Sequence, residues 1–320
     1  MSDPQVPVID LGGASRGDVL RQIDLACREW GFFQVVDHGL PAQLLRDVHA
    51  AMQAFFELPI GAKRAIQRTA ENAWGFYDRE LTKNRRDWKE IFDVGPAIES
   101  GALAGNRPQW PSTLPRFRPT MEAFYAACEG LARRLLGAIS ENLGMPASHL
   151  DASFGADHTS FLRLNYYPVC ADPAPADADF FPATGSLGIH HHTDSGALTV
   201  LLQDEQPGLQ VRREGRWHLI EPRADALVVN IGDVVQVWSN DRYVAALHRV
   251  LANDRVPRYS APFFFNPSAD ATYAPLPGVC DVHRPPRYRP IRWGEFRAAR
   301  AAGDYADVGD EIQIGDYRIR

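Results

Sequence analysis

The stretch SLGIHHHTDSGALTVLLQD, residues 186–204, decides how this chain is read. It reads as two strands, SLGIHHHTD and ALTVLLQD, rich in Leu, Ile, Val and Thr and joined at Ser195–Gly196. Similar segments surround it. SFLRLNYY (160–167) comes before. GLQVRR (208–213), RWHLIEP (216–222), ALVVNIGD (226–233), VVQVWSN (234–240), YVAALHRV (243–250) and RYSAPFFFN (258–266) come after. Each reads as a strand, and most are punctuated by Gly, Asn, Asp or Pro. Many short strands at close spacing predict a sandwich or barrel rather than a βαβ sheet. The interposed segment Ala171–Thr184, rich in Ala, Pro and Asp, reads as a mobile loop.

Outward from this series, the first half reads mostly as helix. Val19–Trp30 has helical apolar spacing and stops at Gly31, and FFQVV (32–36) reads as a strand. Pro41 opens a second helix with Leu44, Leu45 and Val48 on one side, and the longest runs from about Thr120 to Leu143, ended by Gly144. The chain has 320 residues, 45% of them apolar, which supports a substantial core. The net charge of −6 and the absence of a basic stripe argue against nucleic acid as a partner. No strand is followed by a glycine-rich phosphate loop. Cys27, Cys128, Cys170 and Cys280 are isolated, so neither a zinc ribbon nor a disulfide framework is expected. The opening MSDPQVPVIDLGG does not read as a signal peptide, and no apolar stretch approaches a membrane span. The expectation is a cytoplasmic protein, monomeric or a small homo-oligomer, with a small-molecule substrate.

Within the deciding stretch, His192 and Asp194 form an H-x-D pair. Side chains alternate along a strand, so both can reach one ion. His248, on another expected strand, completes two imidazoles and one carboxylate. Such a set covers one face of a metal and leaves positions open, the arrangement of non-haem Fe(II) oxygenases. Catalytic zinc uses similar donors. By the same alternation His190 faces with His192 and Asp194, so it stays open as a ligand or as a supporting partner. Arg258 and Ser260 form an R-x-S pair on one strand face. A guanidinium suits a carboxylate, and serine adds a hydroxyl. On SFLRLNYY, Phe161, Arg163, Asn165 and Tyr167 share a face, so Asn165 and Tyr167 can add an amide and a phenol to that pocket. Phe76, Tyr77, Trp88, Phe263 and Phe265 are candidate aromatic wall residues, or else plain core. Arg79, Lys83 and Arg85 are candidates to meet an anionic substrate, or else solvated charges.

Taken together, LNYYP (164–168), HTDSGALTVLLQD (192–204), PGLQV (207–211), ALVVNIGDVVQVWSN (226–240), LHRV (247–250) and RYSAPFFF (258–265) resemble the isopenicillin N synthase-like branch of the 2-oxoglutarate/Fe(II) dioxygenases. VPVIDL (6–11), CREWGFFQVVDHGLP (27–41), FFELPIGAKR (55–64) and DWKEIFDVG (87–95) resemble its leading region, so the likeness spans nearly the whole chain in order. It implies a mixed α and β fold: a double-stranded β-helix (jelly-roll, cupin-like) core with flanking helices, mainly from the N-terminal half. Residues 1–150 would form a helical region packed on the core, and residues 151–320 the jelly-roll core and C-terminal tail. It implies that His192, Asp194 and His248 bind Fe(II), that Arg258 and Ser260 hold the far carboxylate of 2-oxoglutarate, and that Tyr167 and Asn165 support it. With O2, the reaction would hydroxylate, desaturate or cyclise a small metabolite and release succinate and CO2. An iron oxidase that does not use 2-oxoglutarate, and a non-catalytic jelly-roll binding protein, are the rival readings. The chain departs from the family pattern at Val169, at Asp241, in the His190–His191 pair and in the extended 171–184 loop. That loop is expected to touch the mouth of the site.

Overall fold

A computed structural model describes residues 5–98, 105–305 and 312–319, without the side chains of 301–305. In chain order the elements before the jelly roll are β1 (Val8–Asp10), α1 (Arg16–Glu29), β2 (Phe32–Val36), α2 (Ala42–Phe56), α3 (Ile60–Arg64), β3 (Gly75–Tyr77), β4 (Leu81–Thr82), β5 (Arg85–Arg86), β6 (Glu90–Val94) and α4 (Phe117–Asn142). The strand series follows as β7 (Phe161–Tyr167), β8 (Leu187–His192), β9 (Leu198–Gln203), β10 (Leu209–Arg213), β11 (Arg216–Leu219) and β12 (Leu227–Ile231). A short helix α5 (Asp233–Trp238), β13 (His248–Leu251), β14 (Arg258–Phe265) and the C-terminal helix α6 (Trp293–Tyr305) complete the elements that matter here.

Helix α1 starts where Ser15 Oγ accepts the Asp18 N–H, an N-cap whose carboxylate neighbour sits in the first turn. Gly31 then turns the chain into β2 at φ 65°, where an added Cβ would lie 2.4 Å from the Val244 carbonyl, so only glycine fits. Helix α4 buries Phe117, Met121, Phe124, Cys128, Leu131 and Leu135 at helical spacing. Together with α2 it packs behind the larger sheet, on β9, β14 and β7.

That sheet has eight strands in the order β1-β2-β12-β9-β14-β7-β6-β3, and a second has four, β11-β10-β13-β8. The outer face of the large sheet and the helices enclose the main core, where Phe55 packs against Phe56, Phe76, Phe92 and Phe117. A smaller apolar cluster, including Phe32, Tyr167, Leu201 and Val250, joins residues of both sheets. This is the double-stranded β-helix architecture, mixed α and β, that the sequence implied.

Several local expectations change. FFQVV is a strand, β2, as read, but β1, β3 and β6 come from the part read as mostly helix, yet all are strands of the large sheet. Their shortness hid them. VVQVWSN is helical rather than extended, because α5 is buried on all sides and so lacks an amphipathic period. Only the last three residues of YVAALHRV are strand, within β13, His248–Leu251. The Ala171–Thr184 segment is docked on the outer face of the smaller sheet rather than at the mouth. The Arg249 guanidinium, fully buried, donates to the carbonyls of Ala176 and Ala178 at 2.9 and 2.7 Å. His191 meets the Phe180 carbonyl at 3.1 Å and both Phe180 and Phe181 rings.

Substituting Phe55→Ala is expected to cost about 3–5 kcal/mol, as for other large core deletions. Denaturant unfolding at unchanged m-value is the measurement.

Candidate metal and co-substrate site

Antiparallel pairing sets His248, at the start of β13, opposite His192, at the end of β8. Their ring centroids are 4.2 Å apart. Asp194 lies just beyond β8, in the turn that leads to β9, rather than within a strand as the sequence reading had it. Its Oδ1 is 3.7 Å from His192 Nε2 and 3.6 Å from His248 Nε2. The three donor atoms lie within 4.8 Å of one another. One ion with metal–donor distances of about 2.0–2.2 Å bridges such a set.

The other atoms of these side chains are already occupied. His192 Nδ1 contacts the His190 carbonyl at 2.8 Å, and His248 Nδ1 the Ala246 carbonyl at 3.2 Å. A carbonyl only accepts, so each Nδ1 carries a proton, and each Nε2 is the nitrogen left on the Asp194 side to serve as a ligand atom. Asp194 Oδ2 accepts from Thr199 Oγ1 and, at 2.7 Å, from Asn230 Nδ2. Burial alone would raise the Asp194 carboxyl. His248 and His192, with the Asn230 and Thr199 bonds, overcome that and hold it below the ordinary carboxylate range. Burial, reinforced by His248, lowers His192 from the ordinary imidazole value.

His190 is not part of the set. Between His192↔His248 and Ile189↔Val250 the register slips, so β8 carries one more residue than β13 at His190–His191. This β-bulge breaks the alternation. Ile189 and His192 both line the cavity, whereas His190 turns aside to Asp87, with Nδ1 3.0 Å from Oδ1.

Residues of both sheets and of α6 line a cavity of about 400 Å³. Arg258 lines it, buried. Its Nε donates to the Gln206 carbonyl at 3.2 Å and its Nη2 to Gln203 Oε1 at 3.1 Å, while Nη1 is buried with no partner. The guanidinium stands 5.1 Å from the Tyr167 ring centre. Ser260 faces Asn165 across the β14–β7 pair, with Asn165 Nδ2 3.4 Å from Ser260 Oγ and Asn165 Oδ1 left without a partner. An unsatisfied cationic donor in a buried pocket favours an anionic acceptor, and a carboxylate fits it. The three-donor cluster and this anchor therefore suit a metal ion and a chelating dicarboxylate.

The alternation read on β7 holds: Phe161, Arg163, Asn165 and Tyr167 all line the cavity. The aromatic candidates divide. Phe263, Phe265 and Phe76 are core. Neither Tyr77 and Trp88 nor Arg79, Lys83 and Arg85 are among the lining residues. Phe264, Phe161 and Trp74 form the aromatic wall instead, and Arg68, Lys89, Arg297 and Arg300 join Arg163 as lining cations. Phe264 was legible: it shares parity with Arg258 and Ser260 along β14. Trp74, Arg297 and Arg300 reach the cavity through tertiary packing alone.

Arg300, on α6, pairs with Asp233 at 3.0 Å and donates to the Thr193 carbonyl and hydroxyl at 3.2 and 3.0 Å. The Asp233 N–H in turn donates to the Asp194 carbonyl at 2.8 Å. This packing leaves no room for a side chain at residue 232. A Cβ on Gly232 would sit 2.3 Å from the Gly196 carbonyl oxygen and 2.7 Å from that of Asp194.

Two family models match the chain: that of the 2OG-Fe(II) oxygenase superfamily over residues 158–267, and that of the N-terminal region of non-haem dioxygenase in morphine synthesis over residues 6–115. Jasmonate-induced oxygenase 4 of Arabidopsis thaliana is 35% identical over 300 residues, which is 92% of this chain and 81% of that protein. Gibberellin 20 oxidase 1-B of Triticum aestivum is 38% identical over 302 residues, 90% of this chain and 79% of that one. Among solved structures, JOX2 in complex with 2OG, Fe and JA superposes with a TM-score of 0.81 at 29% identity, covering 99% of this chain and 90% of that chain. The rice dioxygenase for auxin oxidation gives 0.74 at 28% identity, covering 98% and 100%. The chain belongs to the 2OG-Fe(II) oxygenase superfamily. Its activity is that of a 2-oxoglutarate-dependent Fe(II) dioxygenase, which oxidises a small organic metabolite with O2 and yields succinate and CO2.

Gly232→Ala is expected to push the Asp194 turn away from α5, cost about 1–3 kcal/mol as overpacking does, and weaken Fe(II) binding. Thermal unfolding and anaerobic metal titration check the two effects.

Proposed function

We propose that His192, Asp194 and His248 hold Fe(II), and that Arg258 and Ser260 bind the far carboxylate of 2-oxoglutarate, with Tyr167 and Asn165 shaping its pocket. The observation that carries this reading is the pairing of two features in one cavity: three donor atoms that converge, and a buried arginine nitrogen without an acceptor. Bound together, iron and 2-oxoglutarate supply the oxidising chemistry at a substrate C–H bond. The protein's own work is to orient and to exclude water. Thr199 and Asn230 fix which carboxylate oxygen of Asp194 faces the ion, and the two backbone carbonyls fix the imidazoles.

For the substrate we propose a largely apolar molecule that carries a carboxylate. Trp74, Phe161, Phe264 and Pro262 offer flat apolar wall, and besides Arg258 the lining has five Lys or Arg side chains against Glu80, Asp93 and Asp194. Arg163 pairs with Asp93 through two bonds of 2.7 Å, and Arg68 with Glu80 at 2.9 Å, so those two acids are already engaged. Lys89 and Arg300 are likewise engaged, with Asp87 and Asp233, so the preference for an anion rests on the lining's net positive charge and not on a free cation. Proteins named for jasmonate and gibberellin among the relatives agree with an acid of this kind. The free thiols of Cys27, Cys128, Cys170 and Cys280 support a reducing, cytoplasmic setting.

His192→Ala and Asp194→Ala are each expected to abolish iron-dependent succinate formation while the apo protein stays folded. Full turnover in either one refutes the ligand assignment. Arg258→Gln is expected to raise the KM for 2-oxoglutarate about tenfold or more, since it removes a charge-assisted bond. An unchanged KM removes Arg258 as the anchor. In a panel of small apolar acids and their methyl esters, succinate release is expected to follow the free acids. Equal stimulation by the esters overturns the proposed substrate class.

A further inference from the structure

His190 and Asp87 have no part in the metal and co-substrate set described so far, yet they meet. Asp87 is fully buried and accepts four contacts. Its Oδ1 receives the His190 backbone N–H at 3.1 Å and His190 Nδ1 at 3.0 Å. Its Oδ2 receives Thr82 Oγ1 at 2.8 Å and lies 3.2 Å from Lys89 Nζ, itself buried. The loop that carries it is tied to β8 once more, where the Trp88 N–H donates to the Leu187 carbonyl at 2.9 Å. Burial works to raise the Asp87 carboxyl, but Lys89, His190 and Thr82 hold it low, so it is a carboxylate.

A bulge leaves one residue of the longer strand outside the ladder, and its N–H needs an acceptor. At His190 that acceptor is Asp87. The same residue's carbonyl accepts from His192 Nδ1. One peptide-length step therefore separates the carboxylate from the ring that faces the ion.

We propose that Asp87 is a positioning residue for the iron centre: by clamping the His190 bulge from its side chain and its backbone together, it aims His192 Nε2 at the metal. The inference rests on the iron assignment made above. His190 thereby has a role that the sequence left open. It is neither a ligand nor a direct partner of the ion, but the residue through which a buried carboxylate on the β5–β6 segment sets a ligand's direction. Lys89 and Thr82 keep that carboxylate ionised and fixed in place.

The test is anaerobic titration of the purified full chain with Fe(II) alone, read by competition with a chromogenic chelator. Addition of 2-oxoglutarate then gives the visible charge-transfer band of the chelate. Asp87→Ala is expected to weaken Fe(II) binding about tenfold or more, the usual cost of losing an outer support of a ligand, and to shift or erase the band. Asp87→Asn keeps an oxygen for the His190 N–H and is expected to recover most of the affinity. His190→Leu loses only the ring contact and should fall between. If Asp87→Ala does not fold, the comparison of His190→Leu and Asp87→Asn with wild type decides. Wild-type affinity and an unaltered band in the folded Asp87→Ala and His190→Leu proteins overturn the positioning role. Failure of the wild type to bind Fe(II), or undiminished binding by His192→Ala, instead overturns the iron assignment and this inference with it.

Discussion

The register of β8 against β13 is the constraint on which the site depends. Side chains along a strand alternate with a period of two, so a slip of one residue would turn His192 or His248 to the outer face. Apolar pairing resists the slip, since Val250 opposite Ile189 closes the cavity floor beside the two imidazoles. Two insertions interrupt that ladder, at His190–His191 and at Gly188, and the first lets Ile189 and His192 both point inward although they are three positions apart. The outer sides of both ligand strands are secured as well. His191 and Arg249, each next to a histidine of the cluster, hold the 171–184 segment against the back of the sheet.

Electrostatics divide the cavity into two kinds of place. Around Asp194 and Arg258 a buried charge is deliberately left incomplete: one carboxylate oxygen faces two imidazoles, and one guanidinium nitrogen faces no acceptor. Around Arg163, Asp93, Arg68 and Glu80 the opposite holds, and charges neutralise one another across short bonds. An incomplete buried charge costs stability unless a partner arrives. The first kind of place is therefore where ligands bind, and the second is scaffold that also sets the polarity of the wall.

Much of this was written in the chain in a form that local rules can read. The strand series from SFLRLNYY to RYSAPFFFN gave the jelly roll, and alternation on β7 put Asn165 and Tyr167 in the pocket with Phe161 and Arg163. The three-residue cluster and Arg258 followed from spacing together with family resemblance. Other features were illegible for definite reasons. The glycine in β8, Gly188, does not tell where the slip at His190–His191 falls, and the carboxylate that accepts the His190 N–H, Asp87, lies about a hundred positions away. Helix α5 is apolar on every side, so periodicity could not separate it from a strand. Trp74, Arg297 and Arg300 stand on segments whose local pattern says nothing about a cavity, and only docking brings them there. Phe263 and Phe265 failed as wall residues because β14 turns its even-numbered side chains inward, which Arg258 and Ser260 already implied.

The cavity wall starts at Phe32 on β2 and closes with Arg300 on α6. Contacts between residues so distant in sequence form late, because loop closure must precede them. A chain emerging from the ribosome thus owns all three side chains of the proposed metal set well before it owns α6. In that interval the three donors stand in a cavity that lacks the α6 part of its wall. Order of synthesis therefore makes α6 the element that completes the wall, adding Arg297 and Arg300 to a cavity whose other residues all precede them.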